Sequence, residues 1–222
     1  IVASSIAMWC AKPALPESTI RGRDRKMEGK SKLLPVIPLE TERLMLRPVS
    51  PFSFARQTFH WTRDGQALAD LNMPSSGWTF TKWWKQMRKL NRKKRLAHGI
   101  WVKGEAAPIG LHMTALTFPA GEAITGILIG EAKWRGKGLA VEAKRAVIGD
   151  LFDRFPVHRI TSWVNARNFA SLHMTMRLGF KQEAQMREQA LLFDGTRTDF
   201  LGFGMLRSEW NAGADVPDKG KT

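Results

Sequence analysis

Arg135, Gly136, Lys137 and Gly138 form a basic, glycine-rich turn between two patterned segments. Before it, Gly126 to Ile129 are apolar and β-branched enough to be a buried strand. After it, apolar or small residues recur at Leu139, Ala140, Ala143, Ala146 and Val147, which is helical spacing. The first backbone N–H groups of a helix have no partner inside it. Two glycines beside them leave room for close approach. A strand, such a turn and a helix start together bind a phosphate or pyrophosphate.

Three phosphate-loop patterns compete for these residues. A P-loop requires Ser or Thr after GxxxxGK, whereas Lys137 is followed by Gly138. A dinucleotide fingerprint requires GxGxxG, and Val141 stands at the third glycine. The remaining pattern is Gln or Arg, two residues, Gly, one residue, then Gly or Ala, which Arg135, Gly138 and Ala140 satisfy. It is the signature of the GCN5-related N-acetyltransferase (GNAT) family. On its own the match is short, and an ordinary Gly-rich turn is the plain reading.

Further blocks carry the resemblance from about Leu39 to Trp210: LETERLMLRPVS (39–50), PIGLH (108–112), GILIGEAKWRGKGLAVEA (126–143), HRITSWVNARNFASLHMTMRLGF (158–180) and DGTRTDFLGFGMLRSEW (194–210). In this order they resemble the family branch that includes the ribosomal-protein N-terminal acetyltransferases (RimJ/RimL-like). The resemblance implies an α/β (mixed α+β) fold with a twisted, splayed mixed sheet flanked by helices. It implies acetyl-CoA as co-substrate and direct transfer to a primary amine, a protein N-terminus or a small molecule, in a ternary complex. Ile127, Leu128 and Ile129 would present backbone groups to the pantetheine arm and thioester. The turn of Arg135, Gly136, Lys137, Gly138, Leu139 and Ala140 would hold the pyrophosphate. Asn168 would contact the pantetheine, with helix capping as its structural alternative. Ser171 would lie near the sulfur.

The acid and base are less orthodox. Many relatives use a tyrosine as general acid, and this chain contains none. Ser171 is therefore the expected hydrogen-bond donor to the departing thiolate. Ala190 and Ile124 stand where relatives carry carboxylates. Glu122, Glu131, Glu188 and His112 remain as base candidates, with Glu188 chosen for its closeness in sequence to the missing residue. The departures also keep a second reading open, a non-catalytic GNAT-fold module that binds nucleic acid or ribosome.

Charge supplies that second reading. Lys and Arg number 35 against 20 Asp and Glu, a net +15. TKWWKQMRKLNRKKR (81–95) carries eight basic residues and no acidic one. Read as a helix over 80–95, it puts Trp83, Met87 and Leu90 on one face to dock on the sheet. The opposite face, from Lys82 to Arg95, is either plain solvated surface or a site for an anionic partner or ribosome.

The elements that must position these groups follow from pattern. Strands are expected near 42–48, 98–103, 108–117, 122–129, 158–164, 180–193 and 197–207. Helical segments are expected over 52–70, 80–95, 138–153 and 169–178. Asp194-Gly195 marks a hairpin. The 222 residues suffice for a domain with one large core, read as 39–210. Residues 1–38 read as a flexible basic extension and 211–222 as a tail. A single cysteine excludes an internal disulfide, and the five histidines show no metal spacing. With neither a signal peptide nor a membrane span read, a cytoplasmic protein is expected. A homodimer is carried as a further expectation.

Overall fold

The computed structural model describes residues 35–71, 73–90, 95–117, 120–192 and 194–214. Eight strands form one sheet: β1 (Leu39–Glu40), β2 (Leu44–Pro48), β3 (Arg95–Val102), β4 (Gly110–Thr117), β5 (Glu122–Ile129), β6 (Arg159–Asn165), β7 (Lys181–Leu191) and β8 (Arg197–Leu206). Their spatial order is β1-β2-β3-β4-β5-β6-β8-β7. Neighbours are antiparallel except β5 and β6, which run parallel. A parallel pair needs a long crossover, and here α4 (Leu139–Arg154) provides it.

The two faces of the sheet are covered by different elements. On one face α4 buries Leu139, Ala143, Val147, Ile148, Leu151 and Phe152, in a core with Leu44, Leu96, Ile100, Ile160 and Phe203. This is the stripe expected from the helical spacing after the turn. Helix α5 (Phe169–Arg177) adds Met174 to it. The other face is covered by α1 (Pro51–Thr58), a 3-10 turn (Phe59–Arg63), α2 (Gly65–Asp70) and α3 (Phe80–Met87). Trp83, Met87 and Leu90 pack there with Phe54, Trp61, Leu68 and Leu128, so the apolar face expected of the 81–95 segment does dock on the sheet.

The segment is nevertheless a shorter helix than its composition suggests. α3 ends at Met87, and Lys89 and Leu90 donate their N–H groups to carbonyls only three residues back. Arg95 opens β3 and pairs with Ala115. From Leu96 to Ile100 every residue is buried, as in a central strand covered on both faces. A run of like charges at i, i+4 spacing opposes helix, and strand pairing takes its C-terminal part. Arg92, Lys93 and Lys94 lie outside the described residues.

The expected helix over 52–70 is likewise divided. The Thr58 hydroxyl donates to the Phe54 carbonyl, and Asp64 caps a new helix by accepting the Ala67 N–H at 3.0 Å. A final helix, α6 (Arg207–Ala214), was not anticipated. The Asp194-Gly195 hairpin forms as expected. Gly195 takes φ 82°, and the Asp194 carboxylate accepts the Thr196 N–H at 2.9 Å. No helix among the described residues is long and apolar enough to cross a membrane.

Candidate active site

Strands β5 and β6 pair only through Glu122–Arg159, Ala123–Ile160 and Ile124–Thr161. Beyond Ile124, β5 continues on β4, and β6 continues on β8. The sheet therefore opens into a V, and 125–129 present a backbone edge that β6 does not pair. A cavity of about 520 Å³ fills the opening. Its wall includes Ile127, Leu128 and Ile129, the turn from Arg135 through Ala140, and Asn168 and Ser171 from α5. Residues from two separate sequence blocks thus meet at one cavity.

The turn is built by backbone geometry. Gly136 and Gly138 adopt φ 72° and 75°, a region costly for any side chain. Gly138 is also the N-cap of α4. The first intrahelical bond there runs from the Glu142 N–H to the Gly138 carbonyl, at 3.2 Å, which leaves the preceding N–H groups for a ligand. The Arg135 side chain is engaged within the protein. Its Nε donates to the Ile129 carbonyl at 2.8 Å and a terminal nitrogen to Gly130 at 3.0 Å, while the other pairs with Asp64 at 2.8 Å. The guanidinium ties the turn to the end of β5. Lys137 keeps its ammonium 4.7 Å from the centre of the Trp134 ring and has no carboxylate partner among the described residues.

A second anchor lies behind the turn. Glu142 accepts from the Thr41 hydroxyl (2.6 Å), the Arg43 N–H (2.9 Å) and the Arg43 guanidinium (2.7 Å). Arg43 also donates to the Lys137 carbonyl at 3.1 Å. Partial burial raises the Glu142 carboxyl, but these donors outweigh it and hold it below the usual range. The TER of the first block thus braces the glycine turn.

Asn168 and Ser171 sit as expected at the start of α5. The Asn168 side chain accepts the Ser171 N–H at 2.9 Å, so it caps the helix while it lines the cavity. The base candidates fare differently, for none of the four belongs to the cavity wall. Glu188 stands on exposed β7, in a register shift at φ 52°, with its N–H donated to the Asp199 carboxylate. Its closeness in sequence to Ala190 does not carry it inward, because the strand bulges between Met186 and Ala190. Glu131 accepts from His60 (2.6 Å) and Trp61 (2.7 Å). Burial raises its carboxyl, and these bonds more than reverse the effect. Glu122 is bonded to Thr161 on β6, at the closed end of the V. His112 is fully buried, which pushes its imidazole well below the ordinary range.

The wall also holds charged residues outside the expected set. Asp64 and Asp70 come from the α2 region, and Lys144 from the buried face of α4. The Ala67 N–H, ahead of Arg135, holds the Asp64 carboxyl below its usual range against partial burial. Asp70 accepts from Gln66 (3.0 Å) and Asn165 (3.3 Å), both neutral. A readable sign existed for Lys144 alone, since it occupies a core position of the helical stripe, four residues after Ala140 and three before Val147.

A family model described as an acetyltransferase (GNAT) domain matches residues 43–181. The [ribosomal protein uS5]-alanine N-acetyltransferase of Escherichia coli (strain K12) is 34% identical over 88 residues, 40% of this chain and 44% of that protein. The chain thus spans less than half the length of this curated relative. Among solved structures, a probable acetyltransferase (GNAT family) from Chromobacterium violaceum superposes with a TM-score of 0.70 at 18% identity, covering 90% of this chain and 100% of that one. The spermidine N-acetyltransferase of Vibrio cholerae, solved with CoA and spermine, gives 0.69 at 17% identity, covering 77% and 99%. At those identities the likeness is one of fold, and the expected splayed mixed sheet is the fold found. The matched span holds the opened strand pair, the glycine turn and the start of α5, and on that match the chain belongs to the GNAT acetyltransferase family.

Proposed function

We propose that this protein transfers the acetyl group of acetyl-CoA to a primary amine by direct attack in a ternary complex. The observation that carries the reading is the continuity of the opened β5 edge with the N-terminus of α4 across Gly136 and Gly138. The turn amides and Lys137 would take the pyrophosphate, and the free edge of 127–129 would take the pantetheine and thioester carbonyl. A donor held there before reaction stabilises the oxyanion of the tetrahedral intermediate at no reorganisation cost. The Ser171 hydroxyl would hydrogen-bond the departing thiolate. Asp64 and Asp70 make the acceptor wall acidic in a basic chain. No cation among the described residues pairs with Asp70, so the site favours an acceptor that arrives as an ammonium and loses its proton before attack. The E. coli relative acts by its name on an alanine of ribosomal protein uS5, and either a protein N-terminus or a small amine suits the proposed site.

Calorimetric titration of acetyl-CoA into the full chain tests the reading, repeated with Gly138→Trp. Micromolar binding to the wild type and its loss in the variant are expected, followed by amine-dependent thiol release in an acceptor screen. A folded wild type that binds no acetyl-CoA refutes the proposal and turns attention to anionic partners of the Lys82, Lys85, Arg88 and Lys89 surface.

A further inference from the structure

Lys144 is 1% exposed, yet it lines the cavity together with Ile127, Ser162 and Ser171. Its Nζ donates to the Ser162 hydroxyl at 2.9 Å, and that hydroxyl is directed to the Thr125 carbonyl at 3.5 Å. No carboxylate among the described residues pairs with it. The Phe180 ring lies 5.0 Å away. The titratable group facing it from the sheet is His112, with His98 the next strand over. Both are neutral imidazoles depressed by burial, so neither stabilises an ammonium. Burial brings Lys144 from 10.5 to about 7. As a neutral amine, Nζ spends one N–H on Ser162 and keeps its lone pair unengaged, because Ser162 gives its proton to Thr125. This is a nucleophile held in an apolar wall of the proposed thioester channel.

We propose that Lys144 is a self-acylation site, an internal amine that accepts one acetyl group from acetyl-CoA bound in the V between β5 and β6. The inference rests on the acetyl-CoA reading of that cavity. Nζ attacks the thioester carbonyl carbon, the C–N bond forms, the C–S bond breaks, and the proton released by nitrogen goes to the CoA thiolate. The products are N-acetyl-lysine and free CoA. The amide is stable and uncharged, so the modification accumulates as a single turnover. Its acetyl group occupies part of the cavity, and it lowers the capacity of the enzyme for further acetyl-CoA.

The test incubates the full chain with acetyl-CoA at pH 8 without any amine acceptor, then maps acetylated peptides by mass spectrometry. The expected result is a gain of one acetyl group at Lys144 in most chains, with the exposed Lys82, Lys133 and Lys137 at least ten-fold less modified. The adduct disappears in Lys144→Met and Lys144→Arg and is suppressed by excess CoA. Calorimetry on the same preparation separates the two claims. Acetyl-CoA binding with Lys144 unmodified, or modified no faster than the surface lysines, overturns self-acylation and leaves the acetyl-CoA site standing. Absence of binding overturns the site and self-acylation with it.

Discussion

Replacing Lys144 with Met should stabilise the protein at neutral and acid pH, and the gain should shrink as pH rises. Met keeps the unbranched length and approximate volume of the side chain and removes the buried charge. In the unfolded chain the amine titrates near 10.5, and in the fold burial lowers it to about 7. At about 1.4 kcal/mol per pH unit, that difference is a penalty on folding of about 5 kcal/mol below pH 7, where both states hold the proton. Between pH 7 and 10.5 the unfolded state binds more protons than the folded one. Wild-type stability therefore rises with pH across that window, by at most about 1.4 kcal/mol per unit. Losing the bond to Ser162 offsets about 1 kcal/mol of the gain. Lys144→Met should thus exceed wild type by about 3–4 kcal/mol at pH 6 and by little or nothing near pH 9–10. Urea unfolding of both proteins at pH 6, 7.5 and 9 reads this as a difference, in which the other titrations of a chain with net charge +15 cancel. Parallel stability profiles, or a variant less stable than wild type at pH 6, would refute the assignment of Lys144 as a buried, depressed amine.

Three further substitutions examine the scaffold and the chemistry. A Cβ on Gly130 would lie 2.1 Å from the ring of buried Trp61, so Gly130→Ala should cost about 1–3 kcal/mol in chemical unfolding through overpacking. Glu142→Gln weakens the brace to Thr41 and Arg43 and should cost about 1–2 kcal/mol at pH 7. Because the folded carboxyl lies below 4.5, that contribution is complete above pH 4.5 and is lost as pH falls through the folded value. The two unfolding curves should therefore converge in acid. Ser171→Ala should lower the turnover of an identified amine about ten-fold or more while leaving acetyl-CoA affinity within two- to three-fold, in steady-state and binding assays. Equal loss of both would make Ser171 a binding residue only.

Much of the site was legible because it is local. The turn needs glycines at Gly136 and Gly138 and an apolar stripe after them, and both are visible within twenty residues. Asn168 and Ser171 are likewise one helix start, three residues apart, whether read as a cap or a contact. What could not be read was how distant blocks face one another. Glu188 looked close to the chemistry along the chain, yet a bulge turns β7 outward and leaves it in solvent. Arg135 is visible along the chain only as part of the turn, and its ties to the end of β5 and to Asp64 appear only in the fold. The basic run looked helical to Arg95, whereas pairing with β4 claims that residue for a strand.

The sequence by itself therefore determined the elements, the glycine turn and the family pattern, because dihedral preference and hydrophobic period act over a few residues. Only the tertiary structure decided which charges are spent and which are poised. It consumed Arg135 and Glu142 in bracing, placed Asp70 on the cavity wall and sealed Lys144 against Ser162. Those outcomes depend on burial and on partners up to about a hundred positions away, and the free energy of a charge is set by the groups around it rather than by its neighbours along the chain.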